Sequence, residues 1–354
     1  MSTGATDGFM LRRDVERPNF IGYARASELV RVDGTYTSSV PSPYLFELFG
    51  FIVGLHFGSF LNVCISRLPA HQSIVRPRSH CMSCGHTVHW YDNLPILSWL
   101  VLRARCRDCN APISWRYPAV ELAFGLWFLR PAFMIWLAFF PDINRDIVAS
   151  VPFSWPIVIE AIGFAILGFL LIGLMVMDWQ TQRLPDSFTL TGIAIGLLLV
   201  CAQAFFLAPG QGDIVLNTNR QLRLSSPGSF AAQGNVFLTG SEALIMGRVA
   251  AVAAAALILL AVRWIYKALR KRDGMGLGDV KLLAMIAAFL GLGESLLALF
   301  AGALAASLYG LALVLRGRAA GATRLPFGSF LAAGGLFAAL LGQKIVSWYA
   351  GLLR

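Results

Sequence analysis

Eight apolar stretches recur along the chain, near residues 44–65, 118–140, 153–177, 187–208, 244–265, 280–292, 296–315 and 327–349, with polar segments between them. Several reach the roughly 20 residues that carry a helix across a hydrocarbon core about 30 Å thick. Pro69 and the polar run after it stop the first stretch, because proline removes a backbone donor and clashes with the preceding turn. The apolar run from 280 to 315 is too long for one span, and Gly291-Leu292-Gly293-Glu294-Ser295 supplies a turn that divides it. The pattern predicts an all-α polytopic membrane protein of about eight transmembrane helices.

Four segments fall outside or between these helices: a polar tail over 1–43, a polar insert over 66–116 behind the first helix (44–65), a loop at 209–243 rich in Gly, Ser, Asn and Gln, and short connectors. Residues 117–354 then form the main membrane domain. Composition agrees, since 57% of the 354 residues are hydrophobic and 14% charged, with a mean hydropathy of +0.66. A soluble domain rarely has this balance. The lipid bilayer is therefore the first partner expected.

The net charge of +10 does not point to nucleic acid, because the basic residues are divided among short loops rather than gathered on one face. They follow the positive-inside pattern. With the insert and its arginines (Arg67, Arg76, Arg78, Arg103, Arg105, Arg107 and Arg116) in the cytoplasm, alternation puts Arg183, the run Lys267, Arg270, Lys271 and Arg272, and the group Arg316, Arg318 and Arg324 on the same side. The outer loops hold Arg145, Arg220 and Arg223. The tail is the exception, with five arginines and five acids on the predicted outer side. It has no apolar segment of the kind that marks a cleavable signal peptide.

Cys81-Met-Ser-Cys84 and Cys106-Arg-Asp-Cys109 form two CxxC pairs separated by 21 residues. Each turn supplies two corners of a tetrahedron, so the insert is expected to hold a structural Zn²⁺ through Cys81, Cys84, Cys106 and Cys109. Two disulfides are the alternative and would need an oxidising compartment. His80, His86 and His89 read as surface residues, and Cys64 and Cys201 as small core residues.

Two aspartates end or begin apolar stretches on the same predicted face: Asp178 in Asp178-Trp-Gln-Thr-Gln-Arg-Leu-Pro-Asp186, and Asp279 in Gly276-Leu-Gly278-Asp279. Acids at that depth are functional candidates by default, although a lone Asp at a helix end is more often a cap. Two carboxylates side by side can share one proton, so that one acts as base on a water while the other donates to a carbonyl. Gly276 and Gly278 remove side chains beside the acid and admit a substrate backbone, although glycines in membrane helices are often packing devices. Asp186 fits a cap for the helix that follows and is kept as a supporting residue. An ion carrier would also use buried acids, but it predicts them near mid-membrane with repeat symmetry, and neither is evident.

Several stretches together resemble the type IV prepilin leader peptidase family, which also serves type II secretion pseudopilins. They are GSFLNVCISRLP at 58–69, the two CxxC pairs, LPILSWLVLRARC at 94–106, RYPAVEL at 116–122, DWQTQRLPD at 178–186, GMGLGDVKLLA at 274–284 and LPFGSFLA at 325–332. The resemblance implies a GxGD aspartyl protease of the bacterial inner membrane. Such an enzyme cuts the basic leader from prepilins or pseudopilins on the cytoplasmic side, with Asp178 and Asp279 as the catalytic pair. It also implies that the 66–116 insert accompanies methylation of the new N-terminus from S-adenosylmethionine. Family members commonly carry Gly where Ala104 stands, and the tail and the 209–243 loop look longer than usual.

Overall fold

The computed structural model describes residues 42–140, 155–206, 215–216, 222–223, 241–271, 275–317 and 325–352. Its helices are α1 (Pro43–Arg67), the short α2 (Leu97–Val101), α3 (Arg116–Phe139), α4 (Trp155–Thr181), α5 (Asp186–Phe206), α6 (Ser241–Arg270), α7 (Leu277–Leu290), α8 (Leu292–Leu315) and α9 (Phe327–Leu352). Strands β1 (Val215–Leu216) and β2 (Leu222–Arg223) pair antiparallel within the 209–243 loop. The tail over residues 1–41 and the remainder of that loop lie outside the described residues.

Seven of these helices are long and apolar enough to cross a membrane. The eighth expected segment is α7, whose 14 residues span about 21 Å and stop short of a full crossing. A single residue, Gly291 at φ 97°, turns α7 into α8, a shorter turn than the five-residue one expected. Every residue of α7 from Leu282 to Ala288 is buried. A helix that is apolar all round belongs in the middle of a bundle, and α7 packs on α4, α5, α6, α8 and α9.

The core runs through Leu61, Phe124, Leu167, Leu171, Leu174 and Met177 to Leu283 and Ile286. The outward faces are apolar too. Phe300, Leu304, Leu308 and Leu311 are all at least half exposed along α8, at helical spacing, the arrangement expected of a surface bathed in lipid. Cys64 is buried as expected, but Cys201 is exposed: it falls on the outer face of α5 rather than in the core.

The first helix packs chiefly on α3. Gly50, Gly54 and Gly58 recur every fourth residue of α1, and a methyl at Gly54 or Gly58 would lie 2.6 Å from Phe128 Cβ or 2.7 Å from Glu121 Cα. Small residues at this spacing let two membrane helices come together closely.

The insert hangs from the junction of α1 and α3. Two buried charges of the bundle hold it there. Glu121 accepts a hydrogen bond from the Ile96 backbone N–H at 2.8 Å, and Arg67 donates to the Ser73 and Pro77 carbonyls at 3.0 and 2.8 Å. Burying such charges is costly unless each is hydrogen-bonded, so these contacts fix the position of the insert.

Candidate active site

The insert centre is built from two copies of one turn. In the first, the Cys81 N–H donates to the His86 carbonyl and the Gly85 N–H to the Cys81 carbonyl; in the second, Cys106 N–H and Asn110 N–H repeat the pattern with Ala111 and Cys106. Gly85 (φ 72°) and Asn110 (φ 56°) occupy equivalent left-handed positions, which glycine and asparagine tolerate best. All four cysteines are unpaired, and their sulfurs lie within 4.8 Å of one another. The Cys81 and Cys109 sulfurs are 3.7 Å apart, against an edge of about 3.8 Å for a tetrahedron with Zn–S bonds of about 2.3 Å.

Backbone N–H groups of Cys84 and Ser83 hold the Cys81 thiol down to about 6. The Cys109 thiol goes the other way, to about 12, in spite of the Ala111 backbone hydrogen bond, through desolvation and the three other sulfurs around it. A fourth thiolate here needs a cation, and a coordinated dication supplies one. The donor set and geometry fit Zn²⁺.

The aspartates are brought to the same end of the bundle as the insert by three helix ends. Asp178 sits in the last turn of α4, 5% exposed. Its Oδ2 accepts hydrogen bonds from the Ser329 backbone N–H at 2.6 Å and the Ser329 hydroxyl at 3.0 Å. Ser329 is the third residue of α9, so the carboxylate meets the free donors and positive dipole end of that helix.

Asp279 is the third residue of α7, 8% exposed, and lies behind the N-cap Gly276. The Gly276 backbone lies beside its carboxylate, with Oδ2 3.8 Å from where a methyl on Gly276 would stand, the placement of half a capping box. The Asp178 charge also acts on Asp279. Both acids therefore rest on helix N-termini, near enough to sense one another.

Leu184 packs against glycines near both acids, Gly278 and Gly328. A methyl on Gly278 would come within 3.0 Å of Leu184 Cδ1; one on Gly328 would lie 3.0 Å from Leu184 Cδ1 and 3.0 Å from Asp178 Cγ. Glycine is required where a side chain would meet the carboxylate. Gly276 is open, its nearest neighbour being Asp279 Oδ2 at 3.8 Å. Asp186 opens α5 and is exposed; it pairs with Lys281 on α7 at 2.6 Å. That ion pair ties α5 to the helix that carries Asp279.

Gly328, Ser329 and Leu184 are the site residues that sequence reasoning did not single out. The signal for two of them was Phe-Gly-Ser directly after Pro326 at the start of an apolar run, a helix N-terminus whose donors need an acceptor. A cavity of about 320 Å³ lies elsewhere. Arg130, Glu160, Arg248 and Glu294 line it, and Glu160 is 18 residues from Asp178 on α4, about 27 Å along the axis.

Comparison with known proteins identifies the family. Residues 52–136 match the bacterial peptidase A24 N-terminal domain and residues 227–311 the type IV leader peptidase family. A prepilin leader peptidase/N-methyltransferase of Burkholderia pseudomallei is 31% identical over 312 residues, covering 81% of this chain and 82% of that protein. This chain belongs to the type IV leader peptidase family. Another leader peptidase of the same description, from Stutzerimonas stutzeri, is 29% identical over 88% of this chain and 96% of its own length. One from Myxococcus xanthus reaches 45% identity over a shorter match, 46% of this chain and 43% of the relative. No solved structure matches significantly. Within this leader peptidase, the N-terminal match contains the whole cysteine insert, Asp279 falls in the second match, and Asp178 lies between the two.

Proposed function

We propose that this chain is a membrane aspartyl endopeptidase that removes the leader of type IV prepilins or type II secretion pseudopilins and then methylates the new N-terminus from S-adenosylmethionine. The observation that carries the first reaction is the pair of buried carboxylates, one on the N-terminus of α9 and one on that of α7, with the charge of Asp178 acting on Asp279. One carboxylate takes a proton from water as the water attacks the scissile carbonyl. The other, protonated, donates a hydrogen bond to the carbonyl oxygen and then passes that proton to the leaving amine.

The relatives' names, prepilin leader peptidase/N-methyltransferase, support the substrate class and the second reaction. Cys81, Cys84, Cys106 and Cys109 would hold Zn²⁺ as a structural clamp on the insert. The arginines of the insert, with Arg183, Lys267, Arg270 and Arg316, support an orientation with the aspartate end toward the cytoplasm of a bacterial inner membrane. Incubating the purified chain with a prepilin and S-adenosylmethionine, then weighing the products by mass spectrometry, tests both reactions. Loss of the leader and gain of one methyl group are expected. An unchanged substrate refutes the peptidase, and a trimmed but unmethylated one refutes the second reaction.

A further inference from the structure

We propose that the cavity between α1 and the insert is the binding site for the methyl donor, taken as S-adenosylmethionine. The inference rests on the methyl-transfer reading above. The cavity measures about 280 Å³, and its walls are Phe60, Val63 and Arg67 of α1 together with the insert segments 74–79 and 88–93. That is the small end of the range of ligand pockets, roughly 300 to 1,000 Å³.

Depth is the first argument, because a methyl donor must lie within reach of the N-terminus that cleavage creates. Helices α1 and α4 both run toward the insert end of the bundle, and the Arg116 bond to Gln180 at 2.7 Å ties the start of α3 to the end of α4. Leu61 packs at Gly173, where an added methyl would lie 2.9 Å from Leu61 Cδ1. Five residues on along α4 is Asp178, and five residues on along α1 is Ser66, beside Arg67. The Arg67 wall of the cavity therefore lies near the depth of Asp178.

Chemistry is the second. A sulfonium nucleoside offers a flat base, a cation and an α-amino acid carboxylate. Trp90, largely exposed (79%), lines the cavity together with Phe60 and Val88, and its indole and the Phe60 ring are surfaces on which a purine stacks and a sulfonium is attracted. Arg78 is the guanidinium for the carboxylate, and Asn93 can bond hydroxyl or amino groups. Arg67 is already bound to insert carbonyls and forms a stiff wall.

The third argument gives the cysteine centre a purpose. Trp90 and Asn93 begin and end one 3₁₀ turn. Its Asp92 takes two hydrogen bonds from Arg107, at 2.8 and 2.5 Å, and Arg107 lies between Cys106 and Cys109. The metal turn thus sets the position of the indole. Every residue of the cavity also falls in the N-terminal match, 52–136, which contains neither aspartate.

The test is calorimetric titration of S-adenosylhomocysteine into the full chain in lipid nanodiscs. Trp90→Ala and Arg78→Ala should each weaken binding about tenfold or more, Trp90→Phe should stay within a few-fold of wild type, and melting temperatures without ligand should not move. Ultraviolet crosslinking of labelled S-adenosylmethionine to the wild-type chain, which needs no variant, should place the label within residues 60–93. If wild type binds while all variants titrate alike, or the label maps elsewhere, this site is wrong and the methyl-transfer reading survives. If wild type binds nothing up to roughly 1 mM, a weak limit of about −4 kcal/mol, both fall.

Discussion

Each pair of cysteines in the insert lies within one backbone-closed turn, and the two turns begin only 25 residues apart. Asp178 and Asp279 are 101 residues apart, and the donors that hold Asp178 come from α9, 151 residues further on. The first centre is assembled by local turns that gather four cysteines fit to hold a metal. The second exists only once several membrane helices have packed. One depends on its own few residues, and the other on the whole bundle.

Removing the metal is the harshest way to break that comparison. Chelation, or Cys81→Ala with Cys106→Ala, should take zinc from one per chain to none by mass spectrometry and make residues 70–110 susceptible to proteolysis, while the helices stay intact by circular dichroism. Structural zinc in small domains is worth about 10 to 16 kcal/mol. Global unfolding on chelation would show that the insert is not a local unit.

Next in size, Asp178→Asn or Asp279→Asn should lower prepilin cleavage about a thousandfold or more with the melting temperature nearly unchanged. Full activity in either variant would end the two-carboxylate mechanism. Gly328→Ala puts a methyl 3.0 Å from the Asp178 carboxylate. It should cost about ten- to a hundredfold in kcat, the scale of a small misplacement of a reacting group.

Ser329→Ala removes the hydroxyl and leaves the backbone donor, so a three- to tenfold fall in kcat at constant KM is expected, roughly the worth of one ordinary hydrogen bond; Ser329→Thr should restore it. A change in KM alone would make Ser329 a substrate contact instead. The smallest effect belongs to the insert. Arg103 and Ala104 both adopt left-handed backbone, φ 49° and 59°, so Ala104→Gly should stabilise the folded chain by about 1 kcal/mol at most, seen as a small rise in melting temperature.

That backbone explains a departure noted in the sequence: glycine is common where Ala104 stands because the chain there has positive φ. Much else was legible for similarly local reasons. The cysteine spacing specified a tetrahedron without knowledge of the fold, and hydrophobic length specified the long spans. What spacing could not show was α7. Its apolar run merges with that of α8, and only the turn at Gly291 reveals that the helix is short and enclosed.

The aspartates stood out by their position at the ends of apolar stretches, but their partners did not. A serine 151 residues away has no local mark that connects it with Asp178; the connection is made by packing. Asp186 shows the same limit in reverse. Its sequence context suggests a helix cap and carries no mark of Lys281, with which the fold pairs it across a helix boundary.

Residues 43–139 form a hairpin of two membrane helices, zipped by glycines and carrying the insert at its tip, that meets the other helices mainly through α4. Asp178, Asp279 and Ser329 all come from helices outside it. In the gene this makes the hairpin one continuous stretch, separate from the codons of all three site residues. A grafting experiment could treat it the same way, with its seam along α4.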